Sequence, residues 1–260
     1  MERKVILSID GVTKVFGGLT AVNDLSLQIH KAEIVALIGP NGSGKSTTLN
    51  IISGLYSPEK GRIVFEDTDI QGLPPYRIVD SGLRRTFQNI RLFKDLSIIK
   101  NVMIGAHPCG KANVLNSVFK TKRIREEEEK IETIAYDCLK FVGLDVDPKV
   151  KAGSLAYGQC RLLEIARALA SSPRLLMLDE TAAGLNPSEK QNMINIINRI
   201  RDKGISILFV EHDMSMVMKV ADRIAVLNFG SKIAEGTKKE IQNDPLVLTA
   251  YLGDHYVKTE

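Results

Sequence analysis

The sequence predicts an α/β fold: a core built on a parallel sheet, with antiparallel strands attached to it and a helical segment inserted into it. Three observations predict this. From Arg174 onward the apolar runs RLLMLD, ISILFV and RIAVLN alternate with helical patterns, the βαβ order of a parallel sheet. Between Lys4 and Phe65, four short strand patterns (VILSI, LSLQI, EIVALI and RIVFE) crowd together, as in an antiparallel sheet. Between these regions, over about residues 99–170, the pattern turns helical. Residues 1–98 and 171–260 are therefore expected to form the core and its antiparallel lobe, and 99–170 the insert, all within one domain. The last few residues are expected to be flexible.

Taken in order, Glu33 to Ile38 is a short apolar run of the kind a doubly covered strand needs, and a helix is expected over Ser46 to Ser53. The insert contains RIREEEEKIETIAYDCLKFVGL, whose acidic run Glu126 to Glu129 reads as a solvated helix face rather than a metal site. The strand Leu175 to Asp179 follows, then helices beginning near Pro187 and near Asp213, with the strand Ile205 to Val210 between them.

Composition excludes several classes. With 260 residues, 44% hydrophobic and 25% charged, the chain is long enough for one large core and too apolar for disorder. Its net charge of +4 comes from 35 basic and 31 acidic residues mixed along the sequence, without the basic tract of a nucleic-acid binder, so no nucleic-acid partner is expected. No apolar run approaches the roughly 18 to 20 residues that span a bilayer, and MERKVILSID enters a strand pattern at once, so a soluble, cytoplasmic chain is expected. Cys109, Cys138 and Cys160 are odd in number and lack CxxC spacing, which suits neither a disulfide framework nor zinc.

The chemistry is concentrated in three stretches. Gly39-Pro40-Asn41-Gly42-Ser43-Gly44-Lys45-Ser46-Thr47 fits G-x-x-x-x-G-K-[ST] and stands between a predicted strand and a predicted helix. Its glycines let backbone N–H groups converge on phosphates, and the helix N-terminus adds its positive dipole end. Lys45 is expected on the β and γ phosphates of ATP, Ser46 on Mg²⁺, and Thr47 at the helix start. The second stretch, Leu175 to Glu180, delivers two carboxylates to the C-terminal edge of a buried strand, where open α/β sheets place ligands. Asp179 is expected to act on the Mg²⁺ from outside its ligand layer or through water, and Glu180 to polarise the attacking water. The third, Leu155 to Ala170, opens a helix with a glycine-bearing turn (Ala156, Tyr157, Gly158, Gln159) whose amides can face an anion.

In this order the three stretches resemble the ATP-binding-cassette (ABC) family, whose fold is a P-loop NTPase core with a parallel sheet, an antiparallel β subdomain and a helical subdomain. The resemblance implies that Ala156 to Gln159 of one subunit close over ATP held by another. It also implies roles for Gln88 in RRTFQN (Mg²⁺, water and permease sensing), His212 in FVEHDM (γ-phosphate) and Phe16 in TKVFGG (stacking on adenine). Ala183 to Asn186 take the place of the intersubunit loop. Resemblance covers essentially the whole chain and narrows to the ATPase subunits of bacterial and archaeal branched-chain amino-acid importers, through GPNGSGKST, RTFQNIRLF, NVMIGAH, LAYGQ, DETAAGLNP, VEHDM and AYLGD. Implied partners are a second cassette subunit, identical or paralogous, integral-membrane permeases at the cytoplasmic face of the cell membrane, and, indirectly, an extracytoplasmic solute-binding protein. Arg85 to Ile104 is the implied permease surface.

Four positions depart from the family's usual wording. Ala156 stands for a serine and Tyr157 for a glycine, so closure would rest more on Gly158 amides and the helix dipole; Thr181 for a proline loosens a turn, and Asn186 for an aspartate removes a charge from the dimer contact. Two readings stay open beside the importer. One is a cassette serving another permease, such as urea uptake or lipopolysaccharide export. The other is a soluble cassette working on ribosomes or DNA, which usually carries two cassettes or a basic arm; neither is visible here.

Overall fold

The computed structural model describes residues 4–106 and 122–252, so Cys109 and the last residues, expected to be flexible, lie outside the described part. Two compact units result. The first takes in the described residues up to Arg85, Arg174–Ala182 and those from Lys190 onward; the second takes in Thr86–Pro173 and Ala183–Glu189.

In the first unit, β1 (Val5–Phe16) and β2 (Leu19–His30) form an antiparallel hairpin that pairs further with β4 (Lys60–Phe65) and β5 (Thr68–Asp69), in the order β2-β1-β4-β5. Gly17 and Gly18 turn the hairpin in two residues, with Phe16 facing Leu19. Gly17 has φ +58, the left-handed backbone such turns require. Both hairpin strands are longer than the patterns VILSI and LSLQI suggest, because bulges after Ile9 and Val12 break the alternation that a sequence reading follows.

The other sheet runs β10-β9-β3-β8-β7-β6. Its strands β3 (Ile34–Ile38), β7 (Leu175–Asp179), β8 (Ser206–Val210), β9 (Arg223–Asn228) and β6 (Leu83–Arg85) are parallel, while β10 (Ser231–Gly236) pairs antiparallel at one edge. Every residue of β3, β7 and β8 is buried, which is why each reads as a continuous apolar run rather than an alternating one. The helix α1 (Lys45–Ile52) follows β3, and Leu49 and Ile52 join Leu7, Ile29, Leu37 and Met177 in one core shared by both sheets.

Further along come α2 (Pro75–Asp80), α6 (Pro187–Asp202), α7 (Met214–Val220), α8 (Lys238–Gln242) and α9 (Pro245–Leu252). The face Met193, Ile194, Ile196, Ile197 and Ile200 buries α6 at helical spacing. The short edge strands β6 and β10 were not expected from sequence, since three to six half-polar residues carry no clear period.

The second unit is helical. α3 (Ile98–Ala106), α4 (Lys122–Val142) and α5 (Tyr157–Leu169) pack on one another through Ile98, Val102, Ala135, Leu139, Leu163 and Ala166. Glu126, Glu128 and Glu129 lie exposed along α4. Among the described residues, no helix is long and apolar enough to cross a membrane.

Candidate active site

The loop between β3 and α1 is shaped by glycines whose conformations other residues rarely adopt. Gly39 has φ +149, and a Cβ there would lie 2.1 Å from the carbonyl oxygen of Leu227. Gly44 has φ +103 at the N-cap of α1, and its Cβ would meet the Ala21 carbonyl at 2.5 Å. As a glycine, Gly44 offers no side chain to cap the helix, so the first amides of α1 stay available to an outside anion. Asn41, Gly42 and Ser46 are exposed, Pro40 and Thr47 half-buried, and Ser43 and Lys45 buried.

Lys45 folds its ammonium back onto the loop, donating to the carbonyl oxygens of Gly39 at 2.7 Å and Pro40 at 2.9 Å. Burial lowers its pKa, and the carboxylates of Glu180 and Asp179 oppose that shift. The loop, its lysine and the two strand-end acids therefore form one electrostatic site.

Asp179 ends β7 and is 4% exposed. Arg85, at the end of the neighbouring β6, donates from Nη2 to Asp179 Oδ2 at 2.9 Å. Its Nη1 reaches Asn50 Oδ1 at 2.7 Å and Ser53 Oγ at 3.1 Å, both at the C-terminal end of α1. Sequence reasoning missed Arg85: its partner lies 94 residues away, and only the β6–β7 pairing brings the two together.

Glu180 follows with φ +47, left-handed for a non-glycine, and its N–H donates to the Val210 carbonyl at 2.9 Å. That bond ties it to the end of β8, where Glu211 and His212 stand. His212 Nδ1 lies 4.0 Å from Glu180 Oε2 and 4.0 Å from Glu211 Oε2. Glu211 is fully buried and accepts the Ala182 N–H at 2.8 Å, so it grips the turn that carries Glu180. Burial raises the Glu211 carboxyl pKa, against the pull of the Ala182 N–H and His212. Nothing in the sequence singled out Glu211, although an acid directly after the apolar run ISILFV and beside a histidine was a usable signal. Next to it, Asp213 caps α7 through the Ser215 and Met216 amides and pairs with Lys190 at 2.6 Å, which holds its carboxyl at a pKa of about 2.

Phe16, at the tip of the β1–β2 hairpin, is 41% exposed. Its ring meets Tyr56 edge-on with centroids 5.1 Å apart, and Lys14 Nζ stands 5.1 Å over it.

In the first unit the structure thus brings together Gly39 to Thr47, Asp179, Glu180 and His212. A hard cation such as Mg²⁺ takes oxygen donors, and the exposed Ser46 hydroxyl and the Asp179 carboxylate are of that kind.

Gln88 and Ala156 to Gln159 lie in the second unit. Ala156 is the N-cap of α5, and Gln159 accepts its N–H at 3.0 Å. Lacking a side-chain oxygen, Ala156 cannot return a bond to the Gln159 amide, so only half of a capping box forms. Instead the Glu189 carboxylate lies against Gly158, where a Cβ would be 2.2 Å from Oε1. A carboxylate there complements the dipole of α5. Gln88 and Tyr157 line a cleft of about 450 Å³ with Ile90, Leu92, Gly153 and Cys160.

Residues 22–183 match the ABC transporter family. Residues 231–257 match a second family, described as branched-chain amino acid ATP-binding cassette transporter. The high-affinity branched-chain amino acid transport ATP-binding protein BraF of Pseudomonas aeruginosa is 43% identical, the similarity covering 96% of this chain and 98% of BraF. Its Escherichia coli counterpart LivG is 42% identical over the same shares. Among solved structures, a nucleotide-free ATP-binding cassette from an ABC transporter superposes with a TM-score of 0.83 at 36% identity, covering 96% of this chain and all of that one. The ADP conformation of an ABC transporter cassette gives the same TM-score and identity, covering 96% of this chain and 99% of that one.

Proposed function

This chain belongs to the ABC transporter family, and on that premise we propose that it is the ATP-hydrolysing subunit that drives a membrane importer of branched-chain amino acids. The observation that carries the solute class is the match of residues 231–257 to the branched-chain amino acid cassette family, because the phosphate-binding motifs are common to every cassette. The names of the BraF and LivG relatives agree with it.

In this reading ATP enters with its phosphates against the amides of Gly42 to Thr47, at the uncapped N-terminus of α1. Lys45 leaves the Gly39 and Pro40 carbonyls for the β and γ phosphates, an exchange its lowered pKa does not prevent, since the phosphates restore the charged form. Mg²⁺, when bound, would be held by the Ser46 hydroxyl, with Asp179 acting on it through water, and would neutralise charge on the phosphates. Arg85 holds the Asp179 carboxylate in place. Glu180, fixed by its bond to Val210, orients the attacking water and draws on its proton, and His212 donates to the γ-phosphate oxygen as charge builds there. Phe16 offers its exposed face to the adenine, a stack worth about 1 to 3 kcal/mol.

A second cassette, of this chain or a paralogue, closes over the nucleotide with Ala156 to Gln159, while Ala183 to Asn186 meet it across the dimer. Free energy for closure comes from contacts to ATP made only in the closed state. The insert acts as the helical part of a single cassette domain, and the segment Arg85 to Ile104 that leads into it, with the cleft beside Gln88, receives the permease at the cytoplasmic face of the membrane. A solute-binding protein on the far side delivers the amino acid, which this chain does not itself touch.

The test is Glu180→Gln. It is expected to bind ATP as the parent does, to lose hydrolysis, and to accumulate as an ATP-dependent dimer in size-exclusion chromatography. Parental turnover in that variant would remove Glu180 from its role. Affinity purification from native membranes, followed by mass spectrometry, tests the transport reading: two polytopic permease subunits are expected, and purely soluble partners would refute it.

A further inference from the structure

Arg161 heads the fully buried side chains by size and is only 1% exposed. A guanidinium at that depth must find acceptors inside the protein, because an unpaired buried charge is strongly unfavourable. Arg161 finds them on segments distant in sequence. Nη1 donates to the Phe87 carbonyl at 2.9 Å and to Glu164 Oε2 at 3.1 Å. Nη2 donates to the Gln88 carbonyl at 2.6 Å and to the Tyr157 hydroxyl at 3.0 Å. Glu164 in turn accepts the Phe87 N–H at 3.2 Å through Oε1.

Residues 86–90 lie in no helix or strand. Two side chains one turn apart on α5 therefore hold the N–H and C=O of Phe87 and the next C=O as well, doing what a neighbouring strand would do. Tyr157 joins the set from the first turn of the same helix. Its ring lies 5.4 Å from the Arg161 guanidinium carbon, and the ring edge would stand 3.0 Å from a Cβ on Gly184. The tyrosine that departs from the family's glycine thus has a physical place, between Arg161 and the Ala183–Asn186 loop.

We infer that Arg161, with Glu164 and Tyr157, is a positioning device that clamps the Phe87–Gln88 backbone to the N-terminal turn of α5, so that Gln88 and Ala156 to Gln159 move as one piece. The inference rests on the reading that these two segments act on permease and nucleotide. It requires a guanidinium specifically. Lysine gathers its donors on one nitrogen and cannot serve two carbonyls, a carboxylate and a hydroxyl spread over both edges of a planar fork. Stability alone does not require the pair, since a buried ion pair can often be replaced by apolar residues of similar volume at little cost.

The experiment compares the parent, Arg161→Lys and the double variant Arg161→Met with Glu164→Met, which removes both charges and keeps a packable volume. Hydrogen exchange on the full chain is read at the Phe87 amide and, as an internal control, over α3. Nucleotide affinity and permease-stimulated ATPase are then measured in proteoliposomes. The double variant is expected to lose protection at Phe87 while α3 keeps it, and both variants to bind ATP with unchanged affinity and to lose roughly tenfold in stimulated kcat, the scale of one charge-assisted bond. Parental protection at Phe87 in the double variant overturns the inference, as does parental stimulated kcat in either variant. So does a uniform loss of protection with weakened ATP binding, which would mark Arg161 as general scaffolding. If the parent itself shows no permease-stimulated ATPase, the functional reading fails on its own, and exchange at Phe87 still decides the clamp.

Discussion

Glu211→Gln should stabilise this protein at neutral pH and leave it unchanged in acid. Glu211 is fully buried, and its Oε1 accepts the Ala182 N–H at 2.8 Å. Oε2 has no hydrogen-bond partner among the described residues, and His212 Nδ1 stands 4.0 Å away. Burial raises its pKa, and the neighbouring Glu180 carboxylate pushes in the same direction. In the folded state the carboxyl therefore keeps its proton at pH values where an unfolded glutamate, with a pKa of about 4.3, has lost it. Stability contributed at this site is complete in acid, falls as pH rises from about 4 through the folded pKa, and stays flat above it.

Glutamine carries no such proton equilibrium, and its amide oxygen can still accept from Ala182. Each pH unit over which the folded carboxyl keeps a proton that the unfolded chain has lost costs the parent about 1.4 kcal/mol, so the variant is expected to gain stability progressively above pH 4 and nothing at pH 4. Urea unfolding of nucleotide-free parent and variant at pH 4, 6 and 8 reads the difference directly, provided the denaturant slopes agree. A gain that is the same at every pH, or a variant less stable than the parent at pH 8, would refute the electrostatic reasoning.

Other predictions concern the loop and the cap. Lys45→Ala is expected to lose nucleotide affinity by tenfold or more, since one charge-assisted contact is worth about 1.5 to 3 kcal/mol, while the melting temperature without nucleotide stays close to parental; calorimetric titration with ATP checks it. Gly44→Ala combines φ +103 with a Cβ 2.5 Å from a backbone oxygen, so it should cost at least about 2 kcal/mol and distort the loop, read as a lower unfolding midpoint together with weaker ATP binding. Asp213→Ala removes the cap of α7 and should cost about 1 kcal/mol at pH 7. Because the Asp213 pKa is lowered to about 2, that cost should persist above pH 4 and disappear as pH falls toward 2, which acid titration of the two proteins by circular dichroism would show.

Much of the fold was legible because it is written in local patterns. GPNGSGKST between an apolar run and a helical one placed the turn from β3 into α1, and LLMLDE placed two acids at a strand's end, since a buried strand and a glycine turn each leave a signature within a few residues. Family membership followed from the combination of such stretches. What tertiary structure decided was everything that depends on contacts between distant segments. Arg85 gave no signal until β6 paired with β7 and set its guanidinium on Asp179, and Glu211 looked like one more acid until strand pairing placed it under the Glu180 turn. Arg161 read as an ordinary helix residue until the fold delivered the Phe87 and Gln88 carbonyls to it. Sequence determines where chemistry-bearing residues sit along an element because backbone propensity and periodicity act over one or two turns. Which charges find partners is settled only when burial removes water and leaves each buried polar atom to pair with whatever the topology has brought beside it.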